Sequence, residues 1–132
     1  MEIDLGAELG AAEGFSTQRL TLFIPNKDQT GRKLKDHKRW VDEARELLSR
    51  IGGGATAFPP ADGNWVNDRG ELLWEKTVMV FCYVLPDEFR ARTKDLREFA
   101  HRFGRETNQG EVAVEFDGEF YRIKKFDEAE GS

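Results

Sequence analysis

Glu75, Tyr83, Glu115 and Arg122 are the residues of this chain whose types and expected places suit a small polar molecule. Two carboxylates, a phenol and a guanidinium, each expected on or beside a strand, line the mouth of a cavity, with Trp65 and Trp74 on a nearby hairpin. A second copy of the domain, closing a barrel, would roof that cavity. The same residues also suit the polar rim of a dry protein interface, and that reading is the one the sequence favours.

Other chemistry finds less support. His37, Cys82 and His101 stand apart, and no pair has the spacing of metal ligands, so neither a metal nor a cofactor is expected. His37 flanks an apolar helix stripe, His101 is expected on a helix surface, and Cys82 sits among valines as a small core residue. Ser16, Ser49 and Ser132 have no histidine and acid in recognisable context. The three glycines at 52–54 follow a helix instead of preceding one, so the dipole there repels an anion, and they read as a helix cap.

These residues depend on one long strand. Residues 72–85, LLWEKTVMVFCYVL, form the longest nearly uninterrupted apolar and aromatic run, and its β-branched and aromatic content suits the middle of a sheet. Before it, residues 19–25 alternate as a first strand closed by Pro25. Trp40, Val41, Ala44, Leu47, Leu48 and Ile51 recur at helical spacing behind an Asp36 cap. A short strand at 55–58 stops at Pro59-Pro60, residues 61–64 turn, Trp65-Val66 resumes an extended path, and 67–70 turns into the long strand. After Pro86, Asp87 is expected to cap a second helix with Phe89, Leu96, Phe99 and Phe103 on its stripe. Residues 111–116 alternate as a last main strand, and Asp117-Gly118 folds 119–123 back on it.

The order strand, helix, strand, strand, helix, strand predicts an α+β, ferredoxin-like βαββαβ fold. Its sheet is expected to have four antiparallel strands, with two helices on one face and an extra C-terminal hairpin strand. Side chains alternate along a strand, so Val78, Val80, Cys82 and Val84 should face the helices with Leu20, Leu22 and Ile24. Thr21, Phe23, Met79, Phe81, Tyr83, Glu75 and Glu115 then share the face that no helix covers. Leaving such an apolar patch wet, at roughly 25 cal/mol per Å², forgoes several kcal/mol, which points to a partner.

The totals bound the class. A chain of 132 residues with 39% hydrophobic and 34% charged content is sized for one globular domain. The net charge of −5 belongs to the ends: the first sixteen residues carry four acids and no base, residues 124–130 add a net −1, and the middle is neutral. No run approaches the roughly 20 apolar residues of a membrane span, so no membrane partner is expected. The N-terminus has acids where a signal peptide needs bases, and Cys82 alone cannot form an internal disulfide. A cytoplasmic protein is expected, with residues 1–17 as an acidic flexible tail, 18–124 as the domain and 125–132 as a flexible C-terminal tail.

Nucleic acid is a weaker alternative. Residues 22–26, LFIPN, look like the first-strand signature of RNA-recognition motifs, and Phe23, Phe81 and Tyr83 are placed to stack single-stranded RNA. The third-strand stretch 76–83, KTVMVFCY, lacks the basic residue-glycine pair that opens that motif, with no glycine and only Lys76 as a base, and Glu75 and Glu115 would repel phosphate.

Leu22-Phe23, Trp40, Gly53-Gly54-Ala55-Thr56, Gly63-Asn64-Trp65, the Gly70 turn, Glu75 and Gln109 together resemble the pattern of a family of small bacterial ferredoxin-like proteins with a domain of unknown function. The resemblance spans 21–123, implies the fold and brings no activity. The expectation from sequence is therefore a non-enzymatic interaction domain whose open face binds a second copy as a homodimer, or a partner protein. The alternative is a ligand-binding or enzymatic dimeric barrel with a cavity near Glu75 and Tyr83.

Overall fold

In the computed structural model, which describes residues 2–11 and 17–129, a single antiparallel sheet carries helices on one face. The elements run α1 (Leu5–Leu9), β1 (Gln18–Pro25), α2 (His37–Gly52), β2 (Thr56–Ala57), β3 (Ala61–Val66) and β4 (Leu72–Val84). There follow α3 (Pro86–Arg90), α4 (Thr93–Glu106), β5 (Val112–Phe116) and β6 (Glu119–Ile123).

The sheet has six strands, not four. Its order is β2-β4-β1-β5-β6, with β3 also paired to β4. The thirteen residues of β4 explain both counts. Its second half lies between β1 and β2, with Leu22 across from Val80 and Thr56 across from Phe81. Its first half runs on past β2 and pairs with β3, from Ala61 across from Thr77 to Val66 across from Leu72. Residues 61–64 thus form a strand where their Ala-Asp-Gly-Asn composition reads as a turn. Intrinsic strand preference there is poor, and the ladder offered by β4 overrides it.

The core is the one that alternation implies. Leu20, Leu22 and Ile24 of β1, Val78, Val80, Cys82 and Val84 of β4, and Val112 and Val114 of β5 are buried under Trp40, Ala44, Leu48 and Ile51 of α2 and Phe99, Ala100 and Phe103 of α4. Trp40 anchors the helix pair, with its ring edge-on to Phe99 at 6.0 Å and to Phe103 at 5.2 Å. Buried aromatic groups of this size supply a large share of a small domain's burial energy.

Three local outcomes differ from the sequence reading. The expected second helix is two: Pro86 opens α3 at its first turn, and α4 begins afresh at Thr93. Asp36 makes no side-chain cap bond and instead pairs with Arg39 at 3.0 Å. His101 is buried at 6% exposure, because the chain after β6 returns over α4. There Phe126 packs against the core, Arg97 grips the Asp127 carboxylate at 2.8 and 2.9 Å, and His101 Nδ1 accepts the Asp127 backbone N–H at 2.7 Å.

The tails assigned to 1–17 and 125–132 fall partly on residues 1, 12–16 and 130–132, outside the described residues. Within the described part, the Asp4 carboxylate accepts the Ala7 N–H at 3.1 Å and caps α1. Among the described residues, no helix is long and apolar enough to cross a membrane.

Candidate functional site

On the open face the sheet is concave. The long β3–β4 arm forms one side, β1 the floor, and β5 with β6 the other side, enclosing about 1140 Å³. The register shows how the residues meet: Gly63 lies across from Glu75, Phe23 across from Met79, and Ala113 across from Arg122. Glu75, Phe23, Met79, Trp65 and Arg122 therefore line one concavity.

Glu75 is its central ionisable group. It is half-buried, and burial pushes its carboxyl above the ordinary carboxylate range, although the Trp65 indole N–H donates to it and Lys27 lies near. Lys27 itself is held by the Trp74 carbonyl, which accepts from Nζ at 2.8 Å. Gly63 makes the room: a Cβ added there would meet Thr77 Oγ1 at 3.2 Å and Glu75 Cγ at 3.4 Å. Across the concavity Arg122 pairs with Glu111 through two bonds, Nε to Oε2 at 2.8 Å and Nη2 to Oε1 at 3.3 Å.

The remaining sequence candidates lie elsewhere. Phe81, Tyr83 and Glu115 occupy the same face farther along the sheet and do not line the concavity. Phe58 stacks on Phe81 at 5.3 Å, the Arg19 guanidinium lies over the Phe81 ring at 5.6 Å, and Arg19 reaches Glu115 at 3.5 Å. The chain's own Phe58 thus holds the place on Phe81 that a stacked base would need. Tyr83 stays 55% exposed, with its ring edge-on to Phe81 at 5.8 Å. Trp74 falls on the opposite side of β4 from Glu75 and is 62% exposed.

Sequence reasoning passed over Phe120 and Glu111. Phe120 meets Phe23 edge-on at 6.0 Å and extends the aromatic wall. Alternation from the Asp117-Gly118 turn places Phe120 and Arg122 on one side of β6, so the signal was present. Gln109 was singled out only in the resemblance; its amide donates to the Lys27 carbonyl at 3.0 Å and so ties the loop before β5 to the one after β1.

Cys82 takes no part. It is buried beneath α2, and burial pushes its thiol up to about 11, where no useful thiolate exists at neutral pH. Among the described residues, no group of three or more His, Cys, Asp or Glu side chains is arranged to hold a metal ion.

No family model matches the chain, and no curated protein matches it. Among solved structures, a phage SAM lyase in complex with S-methyl-5'-thioadenosine is similar, with a TM-score of 0.64 at 15% identity. The match covers 86% of this chain and 94% of that one. A phage SAM lyase in its apo state gives 0.61 at 15% identity, over 86% of this chain and 95% of that one. At this identity the likeness is one of fold. It nevertheless counts against the expectation of a non-enzymatic interaction domain, because the proteins that share this fold are lyases.

Proposed function

We propose that this chain is an enzyme that takes a small sulfonium compound of the S-adenosylmethionine class into the concavity of its open sheet face, with Glu75 against the positive centre. The observation that carries the reading is Glu75 itself, a half-buried carboxylate among Phe23, Met79 and Trp65. A trialkyl sulfonium has no N–H or O–H to donate. A site can hold it only by opposite charge and by aromatic faces, and this concavity has both. Five of its lining residues are acids and three are bases, so its field favours a cation.

The fold likeness supports the substrate class. The phage enzyme's complex contains S-methyl-5'-thioadenosine, which is S-adenosylmethionine without its four-carbon amino-acid arm. When that carbon–sulfur bond breaks, sulfur keeps the bonding pair and loses its charge, while an oxygen of the arm's own carboxylate supplies the replacing pair to the γ-carbon and closes a lactone. Here Glu75 would bind and orient the charged substrate, and the apolar wall would favour the step in which the charge disappears. On this reading residues 18–124 carry the activity.

The test is direct. The purified chain is mixed with S-adenosylmethionine, S-methyl-5'-thioadenosine is followed by chromatography, and binding of both compounds is measured by calorimetry. Glu75→Gln is expected to weaken the sulfonium compound about tenfold or more, and to leave the neutral thioether within about twofold. Absence of both binding and product at millimolar substrate would overturn the proposal.

A further inference from the structure

We infer that Glu111 and Arg122 together read the amino-acid arm of the ligand, Arg122 taking its α-carboxylate and Glu111 its α-ammonium. The inference rests on the sulfonium reading above and adds a second recognition point to the same concavity.

A carboxylate beside a guanidinium is the charge complement of an ammonium beside a carboxylate. Both side chains line the concavity, and Arg122 uses two nitrogens on both oxygens of Glu111, at 2.8 and 3.3 Å. That fork is the geometry with which a guanidinium grips any carboxylate, so the pair already displays the contact that the arm would make. Stability gives little reason for such a pair, since Arg122 is about half exposed and exposed ion pairs contribute little.

The other bases of the concavity suit the role less well. Arg69 lies at the tip of the β3–β4 hairpin with Glu71 at 3.6 Å. Lys124 is a point charge without the planar fork. Position also favours Arg122. Between β4, which carries Glu75, and β6, which carries Arg122, stand β1 and β5. Three ladder spacings make roughly 14 Å across the sheet. The register sets Arg122 level with Phe23 and Met79, about 13 Å along β4 from Glu75, so the two backbones stand roughly 19 Å apart. A glutamate and an arginine reaching inward from its two sides leave an arm-sized gap between a sulfonium held at Glu75 and a carboxylate held at Arg122.

Three probes separate the parts: S-adenosylmethionine, its decarboxylated analogue, and S-methylmethionine, which has arm and sulfonium but no nucleoside. Calorimetry on the full chain is expected to show Arg122→Gln weakening S-adenosylmethionine and S-methylmethionine about tenfold, and leaving the decarboxylated analogue unchanged. Glu111→Gln should weaken all three, since each keeps the ammonium. Arg122→Lys should recover part of the loss, and Lys124→Gln none of the effect. Equal losses for S-adenosylmethionine and its decarboxylated analogue in Arg122→Gln, or no loss for either, would overturn the inference while leaving the sulfonium reading in place. Arg122-dependent binding of S-methylmethionine alone would do the reverse, keeping the arm site and removing the nucleoside substrate. A wild type that binds none of the three would overturn both.

Discussion

Gly63 and Glu75 face each other across the β3–β4 ladder, and the missing side chain of one is the space in which the other stands. A Cβ at residue 63 would come within 3.2 Å of Thr77 Oγ1, closer than ordinary contact, and would touch Glu75 Cγ at 3.4 Å. Glycine weakens a strand, so its presence here is better explained by what it admits than by what it stabilises.

Gly63→Val should therefore separate fold from site. Valine suits a strand and its ladder, so the melting temperature is expected to stay within a few degrees of the wild type. Its methyl groups would push Glu75 from its place, and affinity for a sulfonium ligand should fall about tenfold, close to 1.4 kcal/mol. Calorimetry alongside thermal melts checks both halves. Full affinity in a folded Gly63→Val protein would show that the position of Glu75 is immaterial.

Glu75 should also leave a mark on stability. Burial raises its carboxyl above the ordinary range, with Trp65 and Lys27 pulling only partly back. A raised carboxyl favours the folded state below its unfolded value, and that contribution is lost as pH rises through the folded value. Above that folded value the protein holds an ionised Glu75 at a cost. Glu75→Gln keeps an oxygen for the Trp65 indole and carries no charge. It is expected to be the more stable protein at pH 7, with the advantage closing below about pH 4. Urea denaturation of both proteins from pH 3 to 8 measures this, and a Glu75→Gln protein less stable at pH 7 would contradict it. Cation affinity should fall over the same acidic window, as the carboxylate takes up its proton.

Thr21 gives a prediction about the rest of the open face. It belongs to the uncovered side of β1, across from Phe81 and Glu115, yet it is only 5% exposed. Its Oγ1 has no hydrogen-bond partner. A buried hydroxyl without a partner costs about 1–3 kcal/mol, and valine has the same shape without it. Thr21→Val is expected to raise stability by about 1 kcal/mol in urea denaturation. A destabilised Thr21→Val protein would mean that the hydroxyl is satisfied, by water or by ligand.

Much of this architecture could be read from residue alternation. Val78, Val80, Cys82 and Val84 share one parity on β4, and all four are buried. The opposite parity set Glu75 and Met79 on the face of Phe23, and those three line the concavity. Local preference failed where pairing decided the outcome. Residues 61–64 have no strong strand former and are held extended by β4, so the arm that walls the site was read as a turn. Phe58 was equally hidden. It sits just past β2, and its stacking on Phe81 depends on β2 lying beside β4, a relation between distant segments that no local pattern records. The chemistry of the open face stayed between two readings for a related reason. An apolar patch with acidic neighbours reads alike as an interface or as a substrate cavity until the curvature of the sheet is known.

The chain beyond β6 offers a last test, of where the folded unit ends. Sequence reading closed the domain at 124. Phe126, however, lies against α4 at Gly104, so closely that no Cβ fits at that glycine. Asp127 follows, gripped by Arg97 and donating its backbone N–H to the buried His101. Removing residues 125–132 would strip a half-buried phenylalanine from the core and uncover His101. Burial of such a ring accounts for about 1–2 kcal/mol. Truncation after Lys124 should cost about that much in urea denaturation, and Phe126→Ala most of it. Gly104→Ala in the full chain should cause a similar loss by forcing Phe126 away, and it should have little further effect in the truncated chain, where the ring is gone. Equal losses in both backgrounds would place the role of Gly104 within its own helix and not under Phe126.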